Sequence, residues 1–176
     1  MPADLSALAV KPTLHGPTIR LVPLDARHTE PMWKLCTDRE TNRLTGTRAV
    51  FTRDRIEDWC TTRPDQPDRL DLAFEDPATG RGIGTETTLL VLRHAFETVR
   101  LHRVHLDVYE YNERAVHAYR KAGFTLAGRA RQAHHWDDRY WVSSQCTGLR
   151  PGGEAIVSPV PSCTDACSRA VVSAAR

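Results

Sequence analysis

Apolar and polar positions alternate in five stretches of the chain and fall at helical spacing in four others. "TIRLVPL" is a strand with Ile19, Val22 and Leu24 apolar, and Pro23 marks an edge or a strand end because proline has no N–H for a ladder. "RLDLAFE" alternates Leu70, Leu72 and Phe74 against polar or small neighbours. "RVHLDVYEYN" sets Val104, Leu106 and Val108 on one face and Arg103, His105 and Asp107 on the other. "FTLAGRARQA" and "RYWVSSQCTGL" read as an antiparallel hairpin turning around His134 to Asp138, which leaves His134 and His135 in solvent.

The helical segments are as distinct. Met32, Leu35 and Cys36 share a face between Thr29 and about Asp38. "TRDRIEDWCTTR" opens on Thr52 as N-cap and aligns Ile56, Trp59 and Cys60. Core packing is the expected role of Trp33 and Trp59. The longest period runs from Thr85 to Arg100, where Leu89, Leu92, Ala95, Phe96 and Val99 form a stripe that Leu90 and Val91 broaden. "ERAVHAYRKAG" ends at Gly123, a glycine where a helix stops. Strands and helices so mixed predict an α/β (α+β) fold, a mostly antiparallel sheet flanked by helices. Residues 1–12 read as a loose lead-in and 13–149 as one domain. The tail 150–176, rich in Pro, Gly, Ser and Ala without a period, reads as disordered or loosely attached.

Composition narrows the function. The chain has 176 residues, room for one real core, and a formal net charge of +2, so no strong field for nucleic acid or membrane is expected. The basic residues are 21 Arg and 3 Lys, a ratio that compositional bias explains better than phosphate binding. Cys36, Cys60, Cys146, Cys163 and Cys167 are odd in number and lack a Cys-x-x-Cys pair, so neither a disulfide framework nor a metal site is expected. A reduced, cytoplasmic setting fits that usage. No stretch reads as a secretory signal, and none has transmembrane length.

The candidate chemistry starts in "FEDPATGRGIGTETTLL". Asp76 to Gly80 reads as a turn closing a strand, and Arg81 to Thr85 as a glycine-rich loop opening a helix. Unhindered backbone N–H groups at a helix N-terminus suit a diphosphate. No Lys-Ser/Thr follows Gly84, so the loop is not a Walker loop. Position 87 is Thr, so the dinucleotide fingerprint fails too. Alone, the loop serves equally well as a plain glycine turn.

The residues that follow decide the weighting. Asn112-x-Arg114-Ala115, Tyr119 and Lys121-Ala122-Gly123-Phe124 stand behind the loop. In that arrangement the segment from Arg81 to Trp141 resembles the GNAT (Gcn5-related) N-acetyltransferases, closest to the branch that acetylates ribosomal-protein N-termini and small-molecule amines. The resemblance extends from about Pro12 to Leu149. It implies acetyl-CoA as donor, with its pyrophosphate on amides of Arg81, Gly82, Ile83, Gly84 and Thr85, and Asn112 hydrogen-bonding the cofactor arm. It implies Tyr119 as the acid that protonates the departing thiolate. The acceptor it implies is a primary amine, on a protein N-terminus or a small molecule. From the residues alone, Asn112 also reads as an N-cap and Tyr119 as a core tyrosine.

The chain departs from that family in two places. Thr79 stands where the family's loop opens with Arg or Gln. Two further strands separate the equivalents of "LDLAFE" and the loop in the family, about 20 residues, whereas only Asp76 to Gly80 are available here. A shortened sheet is therefore expected. In one outcome "LDLAFE" closes against the strand before Asn112; in the other its open edge pairs with a second copy in a homodimer. Glu75 and Glu110 are the candidate bases.

Overall fold

The computed structural model describes residues 4–75 and 82–149. The order is β1 (Leu14–His15), β2 (Arg20–Pro23), α1 (Thr29–Thr37), α2 (Arg39–Thr45), α3 (Arg53–Thr62), β3 (Leu72–Glu75), α4 (Ile83–Arg93), β4 (Arg103–Tyr109), α5 (Glu113–Lys121), β5 (Thr125–Trp136) and β6 (Arg139–Leu149). Among the described residues the strands form two three-stranded sheets, β1-β2-β3 and β4-β6-β5, and every pairing is antiparallel. The mixed α/β class read from the pattern is the class observed. Residues 76–82 are all the chain between β3 and α4. The Asp76–Gly80 turn and the tail 150–176 lie outside the described residues.

Three apolar clusters hold the layers. Leu92, Ala95, Val99, Leu101, Val104 and Phe124 pack α4 and the chain after it onto the β4-β6-β5 sheet. Leu24, Cys36, Ile56 and Cys60 join α1 and α3, with Trp33 and Trp59 at the margin in the packing role expected of them. Ile19, Leu21 and Leu90 seat α4 on the small sheet. Glu86 fastens the same junction, accepting from the Thr18 hydroxyl and from the Thr18 N–H at 2.8 Å.

Four sequence expectations change. The lead-in is tied down from Asp4: its N–H reaches the Val99 carbonyl at 2.8 Å, Leu8 is buried in the main core, and Lys11 Nζ donates to the carbonyls of Leu8, Gln66 and Arg69. An ammonium has three donors, and here three carbonyls use them. The helix read over 85–100 begins at Ile83 and gives way to a π turn at His94–Thr98. The hairpin turns on Asp137 and Asp138 alone, both at positive φ, a two-residue turn whose twist matches the strands. His134 to Trp136 therefore belong to β5, and His134 is half-buried. Finally, β3 pairs with β2 and not with β4, so closure of "LDLAFE" against the strand before Asn112 is not what forms.

Candidate active site

The glycine loop enters α4 through Gly82, whose φ of 113° only glycine adopts without strain. Side chains cap α2 (Asp38), α3 (Thr52) and α5 (Asn112), whereas among the described residues no side chain caps α1 or α4. The first N–H groups of a helix have no partner within it, so this end offers donors and a positive dipole end to an anion. A Cβ built on Gly84 meets no described atom beyond its own helix within 4 Å, so this helix start faces open space. Arg81 lies outside the described residues, whereas Gly82, Ile83, Gly84 and Thr85 stand at the head of α4. Glu86, in the same first turn, is held away on Thr18 and Ile19, and those hydrogen bonds keep its carboxyl below the usual range. An uncapped, open, glycine-lined helix start fits a pyrophosphate.

Asn112 sits between β4 and α5 with both ends of its amide engaged. Its Oδ1 accepts from the Ala115 N–H at 3.1 Å, capping α5, and its Nδ2 donates to the Leu44 carbonyl at 3.2 Å. The donation ties the last turn of α2 to the first turn of α5. One Nδ2 proton is left over.

Tyr119 lies further along α5, which packs against α4. Its ring meets Phe124 edge-on at 5.9 Å and borders the main core. Burial raises the phenol pKa, with a smaller push from the Cys146 thiol. The group is therefore a phenol and not a phenolate at neutral pH, which a proton donor requires. The contacts of Tyr119 are those of the core-packing reading, and its protonation state is compatible with the acid reading.

Neither candidate base is free. Glu75 receives Arg20 at 2.8 Å and has His28 and Arg27 nearby. Glu110 receives Arg129 at 2.9 Å and the Ser144 hydroxyl at 3.0 Å.

The sequence reading missed an aromatic wall built from β4, β5 and β6. Tyr109 stacks on Tyr111 at 5.4 Å and tilts against His134 at 4.7 Å; Trp141 meets Tyr111 edge-on at 4.7 Å. His134 in turn stacks on Trp136 at 5.7 Å. Burial drives the Tyr111 pKa up to about 12, and its hydroxyl donates to the Arg43 carbonyl at 2.6 Å. Burial, then Arg48, then His135 lower the pKa of His134. Gly46, at φ 69°, lets α2 come close: a Cβ there would stand 2.5 Å from the Tyr109 ring. Beside the wall a cavity of about 550 Å³ opens between α2, residues 47–50 and the β5–β6 turn. The available signal was the alternation continuing through His134 and Trp136, and the Asp38…Gly46 bracket of a short helix.

The geometry thus joins a glycine-lined helix start to a capped second helix within one mixed α/β fold. The acetyltransferase (GNAT) domain model matches residues 62–125, a span that includes Gly82 to Thr85, Asn112 and Tyr119. Spermidine N(1)-acetyltransferase of Escherichia coli K12 is 37% identical over 49 residues, which cover 28% of this chain and 26% of that relative. The matched stretch thus spans about a quarter of the relative's length. Among solved structures, a GCN5-related N-acetyltransferase from Brucella melitensis superposes with a TM-score of 0.61 at 18% identity, over 80% of this chain and 79% of that one. Spermidine N-acetyltransferase from Vibrio cholerae, in complex with CoA and spermine, gives 0.63 at 16% identity, over 77% and 98%. These chains share the fold. Residues 62–125 of this chain thus match a GNAT acetyltransferase domain. Among its described residues, no helix is long and apolar enough to cross a membrane.

Proposed function

We propose that the protein is an N-acetyltransferase that moves acetyl from acetyl-CoA to a primary amine by direct attack in a ternary complex. One observation carries the reading: an uncapped, glycine-lined helix start and the Asn112–Tyr119 helix fall within a single GNAT match. Acetyl-CoA, when bound, supplies a thioester whose carbonyl carbon an amine attacks. Gly82 to Thr85, with Arg81 before them, hold its pyrophosphate through backbone N–H groups. Asn112 donates its remaining Nδ2 proton to the cofactor arm. Tyr119 holds a proton at its phenol oxygen and gives it to sulfur as the carbon–sulfur bond breaks. The nitrogen's proton leaves to solvent or a base and replaces the one Tyr119 spent. Cys36, Cys60 and Cys146 form no disulfide, which suits a reducing, cytoplasmic setting.

A second reading rests on the seven residues between β3 and α4: a CoA-binding module with slow or no turnover, associating through the β3 edge as a homodimer. Acetyl-CoA turnover with a panel of primary amines, read as free-thiol release, separates the two. Thiol release that depends on amine supports the enzyme. CoA binding without amine-dependent release supports the module.

A further inference from the structure

Resting on the acetyl-transfer reading, we infer that the cavity beside the aromatic wall receives the acceptor, and that this acceptor is a small primary amine carrying an oxyanion group, a carboxylate or a phosphate. The cavity is lined by Arg39, Arg48, Asn42, Thr47, Trp136 and Asp137, among others. Two of these are guanidinium groups and one is a carboxylate. Arg39 makes no hydrogen bond, ion pair or ring contact with any described residue. Arg48 is oriented, its guanidinium over the Trp136 ring at 5.8 Å and donating to the His135 carbonyl. A guanidinium has five N–H donors, so most of those on Arg48 remain to fork onto an oxyanion.

Two of the acids nearby, Asp38 and Glu40, are committed elsewhere. Asp38 accepts from the Thr41 N–H at 2.7 Å as the cap of α2, and Glu40 forks onto Arg43 at 2.8 Å. Asp137 faces Arg43 closely enough to raise its pKa, after Glu40 and Tyr111. Among the described residues no carboxylate forms an ion pair with Arg39 or Arg48, and Asp137 is the one acid in the lining to set against the two guanidiniums. A polyamine would bring several positive charges against two guanidiniums with one shared acid in reach. An anionic group would complete the guanidinium pair, and the Trp136 face would cover the carbon chain. The same cavity joins the chemistry through α2: Asn42 lines it, and Leu44, two residues on, is the residue Asn112 holds.

The test is binding followed by tryptophan fluorescence at constant ionic strength, with and without saturating CoA. The probes are β-alanine, O-phosphoethanolamine and spermidine. Either anionic amine should bind tighter than spermidine, and the better of the two identifies the oxyanion. Arg39→Gln and Arg48→Gln should each weaken that amine by about 10- to 100-fold, the worth of a charge-assisted hydrogen bond, without improving it for any probe. Arg39 is exposed and makes no hydrogen bond, ion pair or ring contact with a described residue, so Arg39→Gln tests the site even where Arg48→Gln disturbs the β5–β6 turn. Tighter spermidine binding, unchanged affinity in Arg39→Gln, or no anionic-amine signal at about 10 mM, beyond the usual KM range, overturns the inference. Thiol release run alongside keeps the two readings apart. Anionic-amine binding without turnover leaves the cavity assignment standing and removes acetyl transfer. Fast turnover of spermidine does the reverse.

Discussion

Asn112 makes two hydrogen bonds that separate substitutions can remove singly or together. Alanine removes both. Loss of the cap on Ala115 costs about 1 kcal/mol, and loss of the donor to Leu44, half-buried between α2 and α5, costs about 1 kcal/mol more. The sum, about 2 kcal/mol, lowers Tm by roughly 4–8 °C for a chain of this size. Serine is a good N-cap but too short to reach Leu44, so Asn112→Ser should lose about half as much. Aspartate keeps the cap and sets a carboxylate against the Leu44 carbonyl, so it should fall between serine and alanine. Thermal unfolding followed by circular dichroism ranks the three. Amide exchange over residues 39–45 should quicken in all three, because each unties α2. If Asn112→Ser unfolds at the native temperature, the Leu44 bond contributes nothing. If serine and alanine lose equally, the cap contributes nothing. Either result refutes the account of Asn112 as a tie between two helices.

Four other outcomes are expected. Gly84→Val should leave Tm nearly unchanged, since its Cβ meets no described atom beyond its own helix, while weakening CoA at least about tenfold by blocking phosphate approach; equal affinity by calorimetry would remove the cradle assignment. Tyr119→Phe keeps the ring contact with Phe124 and should lower kcat roughly 10²–10⁴-fold with little change in acetyl-CoA affinity, and steady-state kinetics with unchanged kcat would return Tyr119 to packing alone. His94 is buried with no hydrogen-bond partner for Nε2, and burial lowers its pKa below 6.5. The unfolded chain then binds the proton more readily, so stability is full above about pH 6.5 and declines as pH falls through the lowered value; urea midpoints of His94→Leu should lose that part of the acid sensitivity. Gly46→Ala meets both a strained φ and the Tyr109 ring, so it should cost about 1–3 kcal/mol, read in the same urea titration.

The elements that periodicity predicted best are those whose signal is local. Gly123 stops α5 as expected, at φ 92°, and Thr52 caps α3 through the Arg55 N–H. Alternation in "RVHLDVYEYN" yields β4 with Val104 and Val108 buried. The π turn at His94–Thr98 was not legible, because its apolar spacing also suits an α-helix and only packing against the core selects between them. The lead-in looked loose for a similar reason. A four-residue turn has no period, and Leu8 finds its place in a cluster with residues distant in sequence, among them Leu92, Val99 and Phe124.

The candidate site divides along the same line. The cradle and the α5 residues are contiguous motifs, each a run of backbone geometry that a few side chains specify, so sequence alone could nominate them. The cavity joins three segments, α2, residues 47–50 and the β5–β6 turn, whose proximity depends on Gly46 clearing Tyr109 and on Asn112 holding Leu44. No spacing along the chain encodes that arrangement. The same division fits the chemistry. A pyrophosphate is one ligand, and the backbone N–H groups of one loop at a helix start are enough to hold it. Acceptors differ in charge and shape, and segments joined by long-range contacts let Arg39, Arg48 and Trp136 vary without disturbing the cradle. Substitutions in the cavity should therefore change which amine binds while leaving CoA affinity alone, whereas Asn112, which touches both halves, should shift both together.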